Sequence, residues 1–316
     1  MPHTPTVSVI VPTFNRPQWT RAAVDSVRAQ SLPDWELLIA DDGSDAETRD
    51  YLRDLAGTPR VGVQFLPHGG KPATARNAAL RRARGEYVAF LDSDDVWLPG
   101  KLESQLRQLR ARRECAWGYT AFTLIDANGE PLEGSHAKTC PAIEGPFLEP
   151  LLRGQPLIRQ STVIVRRELL ETLGGYDEGF TVCEDYDLFI RLAQRSPIAF
   201  LDEPLVRIRL HGAPYFDEVT AWTELSRMFD KLWHSGGASP WKAVLRERRA
   251  RAAAGLALAY AERQERLALL GTLLGSAHRS WPYRGWWSGA LRATARAFLP
   301  DGFIALGRRH RQGRGR

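Results

Sequence analysis

The chain has 316 residues, 43% of them hydrophobic and 25% charged, with a formal net charge of +6. That is ordinary globular composition, long enough for one large domain or a domain with an appendage. No run of eighteen apolar residues occurs, so no membrane-spanning helix is expected, and the three widely spaced cysteines (Cys115, Cys140, Cys183) exclude a disulfide framework or a CxxC metal site.

A strand-like run begins at Val7, which is not the pattern of a signal peptide. "VSVIVP" is followed by a helix over 17–30 that opens on Pro17, where a missing N–H costs little. "WELLIADDGS" predicts a second strand ending at Asp41 and Asp42, and "DAETRDYLRDL" a second helix with Asp45 as N-cap. "VGVQFL" is a third strand, "KPATARNAALRRAR" a third helix, "EYVAFLD" a fourth strand, and "LPGKLESQLRQLRARR" a fourth helix. Strands separated by helices of this length predict a parallel sheet with right-handed crossovers.

The region 115–212 is mixed. "CAWGYTAFTLID" predicts a strand with a turn at Asn128-Gly129, and "QSTVIVRR" another strand. "EDYDLFIRLAQR" has the spacing of an amphipathic helix with Leu188, Phe189 and Leu192 inward. "PIAFLDEPLVRIRLH" reads as two short strands joined at Asp202 to Pro204. From Tyr215 to about Phe298 the pattern is helical, and the basic end 301–316 is expected to be disordered.

Three strand ends carry polar residues: "PTFNRP" after the first, Asp41-Asp42-Gly43-Ser44 after the second, and Asp92-Ser93-Asp94-Asp95 after the fourth. A doubly wound sheet binds ligands at such ends. G-x-G-x-x-G, G-x-x-x-x-G-K-[ST] and G-x-S-x-G are all absent, which disfavours a classical dinucleotide site, a P-loop and a hydrolase elbow. Three acids within four residues need a cation, and a hard divalent ion such as Mg²⁺ or Mn²⁺ can bridge a carboxylate to a diphosphate.

The stretches "VSVIVPTFNRP", "LLIADDGSDAET", "KPATARNAALRRARGEYVAFLDSDD" and "GGYDEGFTVCEDYDLFIRL" resemble, in order, the motifs of the family 2 inverting nucleotide-sugar glycosyltransferases. The resemblance covers roughly 5–212. It implies a GT-A-type, Rossmann-like α/β fold: a mostly parallel sheet flanked by helices, with a helical C-terminal extension. The catalytic domain would be 1–212, divided into a nucleotide-sugar half (about 5–112) and an acceptor half (about 113–212), followed by a helical region at 213–300. It implies a cytoplasmic enzyme that moves a sugar from a nucleotide-diphosphate donor, UDP-sugar first, to a glycan or lipid-linked acceptor with divalent-metal help.

Residue by residue, the resemblance places Pro12, Thr13, Phe14, Asn15 and Arg16 along the nucleotide pocket. Asp42 would accept from the base, with Gly43 and Ser44 shaping the turn. Lys71 would touch phosphate and Arg76 the ribose or diphosphate. Asp92, beside Ser93, would bind ribose or sugar, Asp94 the metal, and His211 the metal or diphosphate. Asp185 would be the catalytic base and Glu184 would orient the acceptor. Asp95 reads as the cap of the next turn and Asp187 as solvent-facing.

A nucleotidyltransferase would show a Gly-rich loop after the first strand, and a non-catalytic nucleotide-sugar binder would lack an acid at 94 or 185; the sequence has neither feature. From Trp241 onward 16 Lys and Arg stand against 4 Asp and Glu, whereas the preceding 240 residues hold 27 against 33. On a helix over "YRGWWSGALRATARAF", Trp287, Leu291, Thr294 and Phe298 share a face, with Arg292 and Arg296 elsewhere. That face suits peripheral membrane contact, packing on its own domain, or a homodimer; no nucleic-acid motif accompanies it.

Overall fold

The computed structural model describes residues 4–132, 143–154, 158–212, 217–235 and 239–298. Cys140 and the basic end 301–316 lie outside the described residues. The chain divides into two compact units, Met1–Ala213 and Pro214–Arg316.

The first unit is built on an eight-stranded sheet. β1 (Val7–Thr13), β2 (Trp35–Asp41), β3 (Val61–Phe65) and β4 (Tyr87–Phe90) are parallel, in the order β3-β2-β1-β4. β2 is buried throughout and β1 almost throughout, so both read as continuous apolar runs, as strands covered on two faces must. The crossovers are α1 (Pro17–Arg28), α2 (Ala46–Ala56) and α3 (Pro72–Leu80). Asp45 caps α2 as expected, accepting from the Thr48 amide at 2.9 Å. Because β2, β1 and β4 are neighbours and parallel, their three polar carboxyl ends fall on one edge of the sheet.

The other half departs from a parallel sheet. It comprises β5 (Val96–Trp97), α4 (Lys101–Ala111), β6 (Trp117–Ile125), α5 (Leu148–Leu152), β7 (Val163–Arg166), α6 (Arg167–Leu173), α7 (Glu184–Ala193) and β8 (Ile198–Arg209). β7 runs antiparallel to both β4 and β6, β8 parallel to β6, and β5 antiparallel to β8. The full order is β3-β2-β1-β4-β7-β6-β8-β5. The segment expected as two short strands at 197–211 is a single strand, β8, with a bulge. Leu201 pairs Thr120 while Pro204 pairs Ala121, so Asp202 and Glu203 are left outside the register, next to a proline that cannot donate. β5, α5 and α6 are two, five and seven residues long, too short for a periodic signal.

The second unit is helical: α8 (Glu218–His234), α9 (Lys242–Glu262), α10 (Arg266–Ser280) and α11 (Arg284–Phe298). α9 is the common partner of the other three. Small residues let α9 and α11 approach closely. Ala250, Ala253 and Ala254 pack with Trp286 and Ala290, and Ala257 and Ala261 pack with Leu269, Ala293 and Ala297. The face of α11 singled out from sequence is not the packed one: Trp287, Leu291, Thr294 and Phe298 are exposed.

Gly85 enters β4 so close to β1 that a Cβ there would lie 2.5 Å from the Ser8 amide nitrogen, in rigid backbone. Gly85→Ala is therefore expected to cost about 1–3 kcal/mol of unfolding free energy by overpacking. Urea denaturation checks this, and an unchanged midpoint would contradict the close approach.

Candidate active site

The edge carrying the ends of β1, β2 and β4 is held together by short side-chain links between loops. After β1, Asn15 takes a left-handed backbone (φ 51°). Its amide donates to the Ser44 hydroxyl at 2.9 Å and its side-chain oxygen accepts from the Asp45 amide at 2.7 Å. Thr13 pairs with Thr20 on α1 through their hydroxyls, and Phe14 stacks on His68 with centroids 4.3 Å apart. Pro12 sits within β1 opposite Ala40.

After β2, Asp41 is fully buried and accepts from the Ser44 amide, which closes the turn. Gly43 has φ +77°, and a Cβ there would lie 2.6 Å from the His68 amide nitrogen, so the turn needs glycine. Asp42 is engaged at both carboxylate oxygens. One carboxylate oxygen accepts from the Gly69 amide at 2.9 Å and the other from Gly70 at 2.8 Å, with His68 Nδ1 3.1 Å away. It fastens the loop after β3. Lys71, next in that loop, donates to the Glu178 carbonyl at 3.1 Å.

After β4, the acid cluster divides in three directions. Asp92 accepts from Arg76 Nη2 at 2.7 Å, and its amide donates to the Ser161 hydroxyl. Ser93 is buried between its neighbours. Asp94 Oδ2 is shared by the Arg16 guanidinium and by His211 Nε2, the latter 2.8 Å away. Asp95 is not a turn cap. It is buried, accepts from the Ser161 hydroxyl at 2.6 Å and from the Arg209 amide at 2.9 Å, and so ties β4 to the end of β8 two residues before His211. Burial, then the charges of Asp94 and Asp92, raises its carboxyl well above the ordinary range.

Arg76 on α3 is the hub. It is 5% exposed, and its second terminal nitrogen, Nη1, donates to Glu184 Oε1 at 2.9 Å. Its two carboxylate partners come one from the end of β4 and one from the start of α7. Burial opposes the guanidinium charge, but Asp92, Tyr176 and Glu184 outweigh it and hold Arg76 firmly protonated. Glu184 Oε2 is buried without a hydrogen-bond partner among the described residues. Burial, then Asp185, pushes the Glu184 carboxyl up to about 7 against the Arg76 charge. Asp185 is less enclosed; burial raises its pKa too, opposed by Arg76 and by the Tyr186 amide at 2.6 Å.

Asp187 is not solvent-facing. It is 2% exposed and pairs with Arg191 Nε at 2.7 Å, and Arg191 in turn reaches the carbonyls of Leu173 and Gly175. That pair anchors α7 to the turn holding Tyr176.

Four residues of the site carry no obvious sequence signal. Ser161 bonds both Asp92 and Asp95, and the Tyr176 ring packs 5.5 Å from the Arg76 guanidinium. Trp19 lies against His211 with centroids 4.4 Å apart, and Arg209 Nε donates to the Asp94 carbonyl at 2.8 Å. Tyr176 stands in the stretch "GGYDEGF" but bears no chemistry that marks it there. The others converge only through the fold.

A Rossmann-like half joined to a mixed half, with acids at the junction, defines a protein of the GT-A fold. Residues 8–150 match the model of glycosyl transferase family 2. TuaG of Bacillus subtilis, described as a putative teichuronic acid biosynthesis glycosyltransferase, is 45% identical over 130 residues, which cover 41% of this chain and 51% of TuaG. The match thus spans about half the length of that relative. WfgD of Escherichia coli, a UDP-Glc:alpha-D-GlcNAc-diphosphoundecaprenol beta-1,3-glucosyltransferase, is 27% identical over 232 residues, 72% of this chain and 85% of WfgD. In structure, residues 1–349 of Staphylococcus aureus TarS, solved in complex with UDP-GlcNAc, align with a TM-score of 0.64 at 17% identity over 92% of this chain and 91% of that one.

Arg76→Ala would leave two carboxylates, one of them buried, without their cation. Its expected cost is about 3–5 kcal/mol of unfolding free energy. Arg76→Leu combined with Glu184→Leu should recover a large part of that loss, because no buried charge then stands alone. Urea unfolding of the two variants decides it: equal destabilisation would show that the ion pair is not the dominant constraint.

Proposed function

We propose that the protein is an inverting glycosyltransferase that moves a sugar from a nucleotide-diphosphate donor, a UDP-sugar first, to an acceptor hydroxyl in surface polysaccharide or glycolipid assembly. The observation that carries this reading is the Arg76 bridge. It brings the acids at the end of β4 against the acids at the start of α7, so a donor at the sheet edge would lie beside a carboxylate base. The relatives' descriptions, teichuronic acid for TuaG and a diphosphoundecaprenol-linked acceptor with UDP-Glc for WfgD, support the substrate classes.

In this reading Asp185 takes the proton from the acceptor hydroxyl as that oxygen attacks the anomeric carbon. The bond from that carbon to the diphosphate breaks in the same displacement, its electron pair leaves with the nucleoside diphosphate, and the anomeric configuration inverts. A pKa raised by burial makes Asp185 a better base near neutrality than an exposed aspartate. Glu184 and Asp92 are oriented by Arg76, Asp92 towards the sugar or ribose. Thr13, Phe14, Asn15, Arg16, Asp42, Gly43 and Ser44 form the nucleotide end, where Asp42 acts by holding the loop that carries Lys71.

Asp94 and His211 would hold a divalent ion. Among the described residues no three Asp, Glu, His or Cys side chains are grouped so as to hold a metal ion by themselves, so the remaining ligands would be diphosphate oxygens and water, the usual arrangement for Mg²⁺ or Mn²⁺. The two side chains fit: their ligating atoms already stand 2.8 Å apart. The Arg16 charge on Asp94 marks the place as one that calls for a cation. Such an ion supplies charge neutralisation to the departing diphosphate.

A panel of UDP-, dTDP- and GDP-sugars with Mn²⁺, read by nucleotide release and thermal shift, tests the activity. Stabilisation by one donor, abolished by EDTA, is expected; no donor effect and no EDTA effect would sink the metal–diphosphate reading. Asp185→Asn should lower turnover by about 10²–10⁴-fold with donor affinity nearly intact, and lost donor binding would remove Asp185 from the role of base.

The pH profile follows from the same carboxylates. The base must be ionised, and both carboxyls of the pair hold their protons above the ordinary range, Glu184 to about 7. Activity should therefore rise with pH towards neutrality and be lost as pH falls. A profile flat down to the usual carboxylate range, near pH 4, would contradict it.

A further inference from the structure

Of the eight large apolar side chains exposed among the described residues, seven lie between 267 and 298. On α10 these are Leu267, Leu270 and Leu274, with Trp281 just beyond; on α11 they are Trp287, Leu291 and Phe298. Spacings of three, four and seven residues put each set on one helix face. Their exposures run from 37% at Trp287 to 87% at Leu267. Neither face is the one used for packing, since α10 turns Leu269 to α9 and α11 turns Ala293 and Ala297 there.

The two stripes lie side by side. At one end the rings of Trp281 and Trp287 meet edge-on with centroids 4.5 Å apart. At the other, Arg266 donates to the Ala297 carbonyl at 3.0 Å and lies 5.2 Å from the Phe298 centroid. They make one ridge along an antiparallel helix pair. Residues 266–298 contain five arginines and no Asp or Glu. Arg279 turns inward to Asp230 on α8, while Arg266, Arg284 and Arg292 stay exposed beside the ridge.

We propose that this ridge docks the protein on an anionic phospholipid surface, with the leucines and tryptophans among the headgroups and upper acyl chains and the arginines against lipid phosphates. An apolar stripe whose charged border is arginine along both helices, with Glu265 only at the cap before the first turn, is what an interfacial helix presents. A second copy is disfavoured as occupant, because a two-fold contact would press together two surfaces on which arginines outnumber acids. No described helix is long and apolar enough to cross a membrane, so the pair would lie in the interface plane. This inference does not depend on the transferase reading.

The test is flotation of the full chain with phosphatidylglycerol-containing vesicles against pure phosphatidylcholine vesicles. Binding to the anionic vesicles, at least about tenfold stronger than to the neutral ones and accompanied by a blue shift of tryptophan emission, is expected. The triple variant L267E/L274E/L291E should keep its circular dichroism and Tm, since all three side chains are exposed, yet lose binding about tenfold or more. R284E/R292E should lose preference for the anionic vesicles. The proposal is overturned if the triple variant floats like the parent, if the parent floats with neither vesicle, or if sedimentation shows a dimer that the triple variant dissolves while vesicles are ignored.

Discussion

The first unit is organised around one buried cation. Arg76 lies on a helix that belongs to the parallel half of the sheet, and it is met by Asp92 from the same half and Glu184 from the other. A guanidinium offers a planar fork of donors, so two carboxylates can be satisfied at once in fixed directions. The pair is costly to bury, and its value lies in geometry: it fixes where α7 begins relative to where β4 ends. Tyr176 covers the guanidinium, Asn77 clamps the Tyr176 backbone through both its amide and its carbonyl, and the Asp187–Arg191 pair clamps the adjoining turn.

A second network, around Asp94 and Asp95, secures the opposite wall. Asp95 is held by Ser161 and by the Arg209 amide, which sets the end of β8 against the end of β4. His211 follows two residues later and reaches Asp94. The acids that repel one another along the chain are thus separated by function: Asp92 to one arginine, Asp94 to another and to a histidine, Asp95 to neutral donors inside the protein. Within the protein the repulsion along "DSDD" is eased by dispersal of the three side chains to different partners.

The second unit is governed by a different constraint. Alanine and glycine on facing surfaces bring α9 and α11 into close contact, with Gly289 so near Ala254 that an added Cβ would lie 2.6 Å from it. Once small residues have taken the packed face, the large apolar residues of α10 and α11 are left outside, in company with arginines. The sequence pattern showed an amphipathic helix, but amphipathicity has two readings, and the small-residue seam decides which face is buried.

The sequence by itself determined the parallel half: β1 to β4, their helices and the Asp45 cap follow from apolar runs, proline positions and spacing, all local signals. Parallel strands then have to place the ends of β2, β1 and β4 on one edge, so the grouping of Thr13, Asp42 and Asp92 was also legible. Only the tertiary structure decided what those side chains touch. That Arg76 faces Glu184, that Asp42 fastens a loop, that Asp187 is buried and that Asp95 supports His211 all depend on contacts between residues far apart in the chain. The same holds for the bulge in β8 and the antiparallel insertion of β7. Hydrophobic periodicity records which side of an element is covered, but not by what, and partner choice in a buried polar network is fixed by desolvation and geometry that exist only after the chain has closed.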